Sequence, residues 1–261
     1  MSDSIDWDVG HYEQMAVELE PVAAHVVSLA DLQHGERVVD LATGTGNAAV
    51  LAGRAGAFVT GLDAAPRLID VARARALTED VEASFMVGDM QALPFEDGSF
   101  DVALSVFGLI FADDASRAFD EMIRVLRPSG RALFSVWVPA GPVNAMVATF
   151  GRAIAAATER TPPRFAWYEP EVVGRLAARH RAHVEIHEGQ LAITAASPEA
   201  YLEANEEQHP VSVAGRPVLE RAGRYGEVRN EALRILRHGN EDPQAFRVTS
   251  PYRVIDVHRP G

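Results

Sequence analysis

Short apolar runs alternate with segments of helical periodicity along the first part of the chain, and this alternation constrains the fold more than any other feature. The runs predict five strands, at 38–41, 58–62, 84–87, 100–107 and 131–138, with helices between them. Strands that alternate with helices of this length are connected by right-handed crossovers. We therefore expect an α/β fold with a doubly wound, mainly parallel sheet.

The pattern changes after Pro142, where two late strands and several helices are predicted. One of the late strands is expected to be antiparallel, and residues 198–208 and 218–237 are expected to be helical. Earlier in the chain, Pro128 to Gly130 are expected to stop the helix that follows the fourth strand, with Asp113 or Asp114 as its N-cap. The predicted organisation is a single domain over 1–261, with a core at 35–138, helical insertions that cap the site at 139–182 and 198–244, and late strands at 183–195 and 245–258.

The first strand leads into a loop with two glycines one residue apart, Gly44 and Gly46, and then into an alanine-rich helix. Glycines are needed where the chain reverses direction and lets a ligand approach its backbone. Because ligands of open α/β sheets lie beyond the carboxyl ends of the strands, the residues at those ends form the candidate site. These residues are Asp40, Asp63, Asp89 with Met90, and the segment 105–108.

A nicotinamide dinucleotide is one ligand that this loop could hold. Residues 44–49 fit the relaxed G-x-G-x-x-A pattern, and Asp63 follows at about the spacing of a ribose-binding acid. Asp40 disfavours this ligand, because an acid at the mouth of the loop repels a pyrophosphate. No arginine lies between Asp40 and Gly53 to offset that charge.

A nucleoside cofactor with a cationic sulfonium and an ammonium group reverses the sign of this interaction, so that Asp40 becomes favourable through a direct or water-mediated contact. Asp63 can then accept hydrogen bonds from both ribose hydroxyls. Asp89 can accept from the adenine amino group, while the Met90 backbone serves a ring nitrogen. An NAD(P)-dependent oxidoreductase remains the alternative.

Composition excludes several kinds of chemistry. The formal net charge of -13 argues against sequence-independent binding to nucleic acid. The chain has no cysteine, and all 24 of its basic residues are arginine, so thiolate nucleophiles, cysteine metal sites and Schiff-base lysines are excluded. No run approaches the ~20 apolar residues of a membrane span. The acidic first residues lack the basic start of a signal peptide, so we expect a cytoplasmic protein without membrane association.

An ordered set of motifs resembles those of the class I S-adenosylmethionine-dependent methyltransferases, and in particular the type 11 small-molecule branch similar to ubiquinone/menaquinone C-methyltransferases. The matching segments span 35–138 and are 38–47, 61–63, 88–95, 99–102 and 124–130. Ala42 and Thr43 replace a glycine and a cysteine that are frequent at those positions in the family. Both residues are small, so we expect the loop to keep its conformation.

The resemblance implies a Rossmann-like seven-stranded sheet of order 3-2-1-4-5-7-6 with strand seven antiparallel. It also implies an N-terminal helical lid over 1–33, which contains Trp7, Gly10 and His11. The expected cofactor is S-adenosyl-L-methionine, with S-adenosyl-L-homocysteine as product, and the expected partner is a small-molecule methyl acceptor bound by a monomer or homodimer. The predicted cofactor-binding residues are Tyr12, Asp40, Ala42, Thr43, Gly44, Gly46, Asp63, Ala64, Leu68, Asp89, Met90 and Ser105.

The resemblance leaves the catalytic group open. Methyl transfer is an in-line displacement that needs mainly orientation and water exclusion, with a general base only for an acceptor such as a phenol. His11 and His209 are the candidates for that base, and each is equally compatible with an ordinary surface histidine. No metal ion is expected, because the acid pair that catechol-type enzymes place after the fifth strand is missing at 139–144. A protein that keeps the fold and cofactor but does not methylate, such as a cyclase, is a further alternative.

Overall fold

The computed structural model describes residues 12–159 and 165–261. The chain divides into two compact units. We call Ala16–Trp137, Phe165–Gly189 and Tyr252–Gly261 the core unit, and the remainder of the described chain the second unit. The core unit contains the first five strands and the ends of the last two, so it holds every predicted site residue that follows a strand.

Seven strands form one sheet in the order β3-β2-β1-β4-β5-β7-β6. The strands are β1 Arg37–Leu41, β2 Phe58–Asp63, β3 Ala83–Val87, β4 Phe100–Val106, β5 Leu126–Trp137, β6 His183–Ala195 and β7 Phe246–His258. Strand β1 pairs in parallel with β2 and β4, whereas β7 pairs antiparallel with β5. The predicted Rossmann-like sheet, including its order and its antiparallel strand, is confirmed.

Ten α-helices are present in the described residues: α1 Tyr12–Glu18, α2 Glu20–Ala30, α3 Asn47–Arg54, α4 Pro66–Thr78, α5 Ala115–Arg124, α6 Gly141–Thr158, α7 Pro170–Arg179, α8 Pro198–Gln208, α9 Pro210–Arg221 and α10 Tyr225–His238. A short 3-10 turn, Leu109–Phe111, follows β4. Of the two acids predicted to cap α5, Asp114 does so, because its Oδ1 accepts a hydrogen bond from the Arg117 N–H at 3.0 Å.

Pro128 to Gly130 do not stop a helix, contrary to the sequence-based expectation. Helix α5 ends at Arg124, and the three residues lie within β5. The reason is strand pairing, since the Phe100 N–H donates to the Val125 carbonyl at 2.9 Å and draws the chain into the sheet directly after the helix.

The segment 218–237 is helical, as expected, but it is divided between two helices, because α9 ends at Arg221 and α10 begins at Tyr225. Gly223 lies between them with φ at +66°. The Arg224 N–H donates to the Leu219 carbonyl at 2.9 Å, which closes the end of α9. A glycine with left-handed backbone conformation is a common helix terminator. Gly223 is therefore the sequence signal for the break between α9 and α10.

The hydrophobic core of the core unit covers the sheet, with fully buried side chains such as Leu41, Phe119 and Phe134. The second unit has a small cluster of its own, Ala153, Leu219 and Val228. Among the described residues, no helix combines the length and the apolar character needed to cross a lipid bilayer.

Candidate functional site

The loop between β1 and α3 contains three residues with positive φ. They are Ala42 at 52°, Gly44 at 54° and Gly46 at 82°. The loop is held to β2, because the Thr43 N–H donates to the Leu62 carbonyl at 3.0 Å. The two predicted glycines therefore have the left-handed backbone conformation, which glycine adopts without steric cost. Ala42 adopts the same conformation although it carries a Cβ atom.

Asp40 lies in β1 between two neighbouring strands and is almost fully buried, with 1% exposure. Its Oδ2 accepts hydrogen bonds from the Thr43 hydroxyl at 2.6 Å and from the Ala49 N–H at 3.1 Å. Burial raises the pKa of Asp40 from 3.8 to about 7, against the lowering effect of these two bonds, and the nearby charge of Asp63 raises it further. Asp40 thus connects the start of the loop to the first turn of α3.

Asp63 ends β2 on the opposite side of the loop. Its Oδ2 accepts from the Gly44 N–H at 2.8 Å, and its Oδ1 accepts from the Ala65 N–H at 2.9 Å. A carboxylate oxygen can accept more than one hydrogen bond, which is the property that a ligand with two neighbouring hydroxyls requires. The structure brings Asp40, Asp63 and the glycine loop together, as the sequence predicts.

Asp89 follows β3 at the next strand end and is exposed. Its Oδ1 accepts from the Gln91 N–H at 2.8 Å, which fixes the turn after the strand. Met90 is partly buried against the core of the sheet. Ala64, between Asp63 and the start of α4, is exposed. Leu68 on α4 is only 2% exposed and is part of the hydrophobic core.

Ser105 is fully buried in β4, and its hydroxyl donates to the Leu41 carbonyl of β1 at 2.8 Å. This bond ties the two central strands together at the edge where the loop begins. The hydroxyl of Ser105 therefore contacts the backbone of β1.

Two glycines outside the loop allow its close packing. A Cβ on Gly108 would lie 2.4 Å from the Ala42 Cβ and 2.8 Å from the Ser105 hydroxyl. A Cβ on Gly61 would lie 2.6 Å from the Phe85 ring. Sequence reasoning does not identify the role of Gly108. The available signal is a glycine directly after a buried strand, which often marks a close backbone approach.

Asn47, the first residue of α3, also connects the loop to its surroundings. Its Nδ2 donates to the Ala16 carbonyl at 2.7 Å, and its Oδ1 accepts from Arg75 at 2.5 Å. Arg75 also pairs with Glu20 and Glu79, each at 2.9 Å. The charge of this guanidinium is compensated by two carboxylates, so it does not offset the acids around the loop.

The predicted catalytic candidates and Tyr12 fall outside the core unit or outside the described residues. His11 lies outside the described residues, and Tyr12 is the first residue of α1 and belongs to the second unit. His209 caps α9, with its Nδ1 accepting from the Val211 N–H at 3.2 Å. Burial lowers its pKa to about 4, so its ring is neutral at pH 7 and is a weak base toward a phenol.

Comparison with known proteins agrees with this geometry. A family model described as a methyltransferase domain matches residues 39–134, which contain the glycine loop, Asp63 and Asp89. An uncharacterized protein of Mycobacterium tuberculosis is 32% identical over 188 residues, which cover 72% of this chain and 69% of that protein. A demethylmenaquinone methyltransferase of Thermus thermophilus is 42% identical over 115 residues, which cover 43% of this chain and 52% of the enzyme.

A solved structure has the same fold. A putative methyltransferase from Bacillus halodurans superposes with a TM-score of 0.64 at 17% identity, covering 92% of this chain and 99% of that one. The resemblance seen in the motifs is thus supported by a family model, by curated relatives and by the fold. The chain belongs to the class I S-adenosylmethionine-dependent methyltransferases and is an enzyme of that family.

Proposed function

We propose that this protein transfers a methyl group from S-adenosyl-L-methionine to an oxygen, nitrogen or activated carbon atom of a small molecule and releases S-adenosyl-L-homocysteine. The main support for the proposal is that the glycine loop lies between two acidic side chains. Asp40 and Asp63 hydrogen-bond to opposite sides of the loop, and the nearby Arg75 is compensated by two carboxylates.

The residues around the loop fit the cofactor by their chemistry. Asp63 and the exposed Asp89 offer carboxylate oxygens to the donors of an adenosine, namely its ribose hydroxyls and adenine amino group. Asp40 and the loop backbone suit the cationic amino-acid portion, since a negative charge in a buried position attracts an ammonium group. The cofactor would thus lie along the strand ends, with its adenosine toward β2 and β3.

A pyrophosphate fits the same residues poorly. A dinucleotide-binding loop stabilises its anionic ligand with the N–H groups at a helix N-terminus, and an ionised Asp40 hydrogen-bonded to the first turn of α3 opposes that interaction. The NAD(P) alternative therefore requires Asp40 to remain protonated whenever the ligand is bound.

The bound cofactor supplies an electrophilic methyl group. The protein's own contribution is to orient the acceptor and to exclude water, both of which need a rigid strand edge. The Ser105 hydrogen bond to β1 and the close contact of Gly108 with Ala42 supply this rigidity between β1 and β4. A small-molecule acceptor is favoured because the net charge of -13 opposes a polyanionic substrate.

Thermal unfolding with added S-adenosylhomocysteine tests the cofactor part of the proposal. We expect the ligand to stabilise the wild-type protein, because a ligand that binds only the folded state raises its stability. Asp63→Ala should lose most of this shift. Asp70→Ala is the matched control, since Asp70 is an exposed acid on α4 that pairs with Arg73 and should leave the shift unchanged.

The transfer step is tested by incubating the protein with S-adenosylmethionine and pooled phenols, amines or quinols. The release of S-adenosylhomocysteine is then measured. Turnover with any pool supports the proposal and begins to identify the acceptor. An unchanged ligand shift in Asp63→Ala would overturn the assignment of the cofactor site. A normal shift with no turnover in any pool would instead indicate a protein that binds the cofactor without methylating.

A further inference from the structure

Thr43 lies in the glycine loop and is 6% exposed. Its hydroxyl donates a hydrogen bond to Oδ2 of Asp40 at 2.6 Å. A hydroxyl carries a single proton, and this bond uses it. The Thr43 side chain therefore has no second proton to donate to a ligand, and the effect of this donor on a ligand passes through Asp40.

The backbone of Thr43 is fixed on both sides. Its N–H donates to the Leu62 carbonyl of β2 at 3.0 Å, and its carbonyl accepts from the Gly46 N–H at 2.9 Å. The left-handed φ of Ala42, 52°, turns the chain directly before it. Gly61 of β2 leaves room for the hydroxyl, because a Cβ there would lie 2.9 Å from the Thr43 oxygen. The hydroxyl is thus held in one place by its own loop and by β2.

The surroundings of Asp40 oppose its ionised form. Desolvation by burial raises the pKa of Asp40 to about 7, and the charge of Asp63 at the end of β2 raises it further. The residue paired with Asp40 in β4 is Leu104, whose side chain offers no hydrogen bond. The two groups that lower the pKa are the Thr43 hydroxyl and the Ala49 N–H. Of these two donors, only the hydroxyl belongs to a side chain.

The residue at position 43 also departs from the pattern of the family, in which a cysteine is frequent at this position. A thiol is a weak hydrogen-bond donor, so it would bond to the carboxylate less strongly than a hydroxyl does. Hydrogen bonds to charged groups are strong, and the choice of donor therefore changes how much of Asp40 is ionised near neutral pH.

We infer that Thr43 is a positioning residue, which keeps the Asp40 carboxylate charged for the ammonium group of the cofactor. Its hydroxyl extends cofactor binding to a lower pH than the thiol that is frequent in the family would allow. Asp40 is 1% exposed, so its charge acts through the low-dielectric loop or through a bridging water. This inference rests on the proposed function, since it concerns the same cofactor site.

Carbon-13 NMR of the aspartate carboxyl groups, recorded without ligand, tests the first part of the inference. The signal of Asp40 is identified by its loss in Asp40→Asn, and its chemical shift reports ionisation at each pH. Thr43→Val keeps the shape of the side chain without the donor, so the titration midpoint of Asp40 should rise by about one pH unit. Thr43→Ser should keep the wild-type midpoint, and Thr43→Cys should lie between serine and valine.

Thr45→Val is the matched control, because it removes a hydroxyl of the same loop that lies 3.4 Å from the Asn47 side chain. The midpoint of Asp40 in this variant should equal that of the wild type. Equal midpoints in the wild type and Thr43→Val would overturn the inference. If Thr43→Val does not fold, Thr43→Cys decides, and a wild-type midpoint in that variant would overturn the inference as well.

Calorimetric titration with S-adenosylmethionine between pH 6.5 and pH 9 tests whether the ionisation of Asp40 acts on the cofactor. The ratio of the wild-type affinity to the Thr43→Val affinity cancels the titration of the ligand's own amino group. Thr43→Val should bind about fivefold more weakly at pH 6.5 and as tightly as the wild type at pH 9, where Asp40 is mostly charged in both proteins. In an Asp40→Asn background, Thr43→Val should give the same ratio at every pH.

The binding measurement separates a failure of this inference from a failure of the proposed function. A ratio that changes with pH in the wild-type background, but not in the Asp40→Asn background, would support the inference. A constant ratio, with the wild type still binding the cofactor, would overturn the inference alone. A wild-type protein that does not bind S-adenosylmethionine at any pH would overturn the proposed function and the inference with it.

Discussion

Replacing Asp40 with asparagine removes a titrating group from the centre of the site with little change in shape. Both hydrogen bonds to Asp40, from the Thr43 hydroxyl and the Ala49 N–H, reach the same oxygen, Oδ2. An amide oxygen can accept both, so Asp40→Asn keeps the loop connected to α3. What the substitution abolishes is the ionisation of a buried carboxyl group.

The magnitude follows from the raised pKa. A folded-state value of about 7 against an ordinary value of 3.8 means that the folded protein holds a proton that the unfolded chain releases at lower pH. The free energy of unfolding of the wild type therefore falls as the pH rises between these values, by roughly 4 kcal/mol in total. Since asparagine does not titrate, the advantage of Asp40→Asn over wild type should grow by about 2–3 kcal/mol between pH 5 and pH 8.

Urea unfolding of the two proteins without ligand, at pH values from 5 to 8, measures this difference. Asp114→Asn is the matched control, because asparagine caps a helix as well as aspartate does and Asp114 is a surface residue. Its stability should follow the wild type at each pH. Parallel pH profiles for Asp40→Asn and wild type would refute the reasoning, since they would show that Asp40 ionises normally. The same variant should bind S-adenosylmethionine more weakly, because it lacks the negative charge that attracts the ammonium group.

The remaining predictions concern packing around the loop, and urea unfolding measures each of them. Gly108→Ala should destabilise the protein by roughly 1–3 kcal/mol, because the new Cβ would meet the rigid Cβ of Ala42 at 2.4 Å. Gly174→Ala is its control, with no atom within 4 Å of the new Cβ, and should stabilise helix α7 by about 0.5–1 kcal/mol. Equal changes in stability for Gly108→Ala and Gly174→Ala would contradict the close contact between Gly108 and Ala42. Ala42→Gly should stabilise by about 0.5–1 kcal/mol, since glycine relieves the positive φ, and a loss of stability would argue against that conformation. Asn47→Ala should cost about 1–2 kcal/mol through its lost hydrogen bonds, and no change would show that they contribute little.

Much of the fold follows from local sequence patterns, because strand ends and helix starts are marked by short-range chemistry. The strands β1 and β2, the helix α3 and the acids at the strand ends lie where their apolar runs and turn residues predict. The order of the sheet came from the family resemblance, since hydrophobic periodicity does not determine which strands become neighbours. The error at Pro128 to Gly130 arose where strand pairing draws these residues into β5, and the break at Gly223 lies inside a segment that is otherwise helical as expected.

The site was less predictable than the fold, because its contacts join residues that are distant in sequence. The sign of the charge at Asp40 could be inferred from the sequence, but the hydrogen bonds that bury it could not. Neither the contact of Gly108 with Ala42 nor the hydrogen bond from Ser105 to the Leu41 carbonyl leaves a local signal.

The central claim is that the glycine loop selects a cationic nucleoside cofactor and rejects a dinucleotide. Calorimetric titration of the wild-type protein at pH 8 with S-adenosylmethionine and, separately, with NAD tests it most directly, because Asp40 is mostly ionised at that pH. We predict saturable binding of S-adenosylmethionine and no measurable heat with NAD. Saturable binding of NAD together with no binding of S-adenosylmethionine would contradict the account.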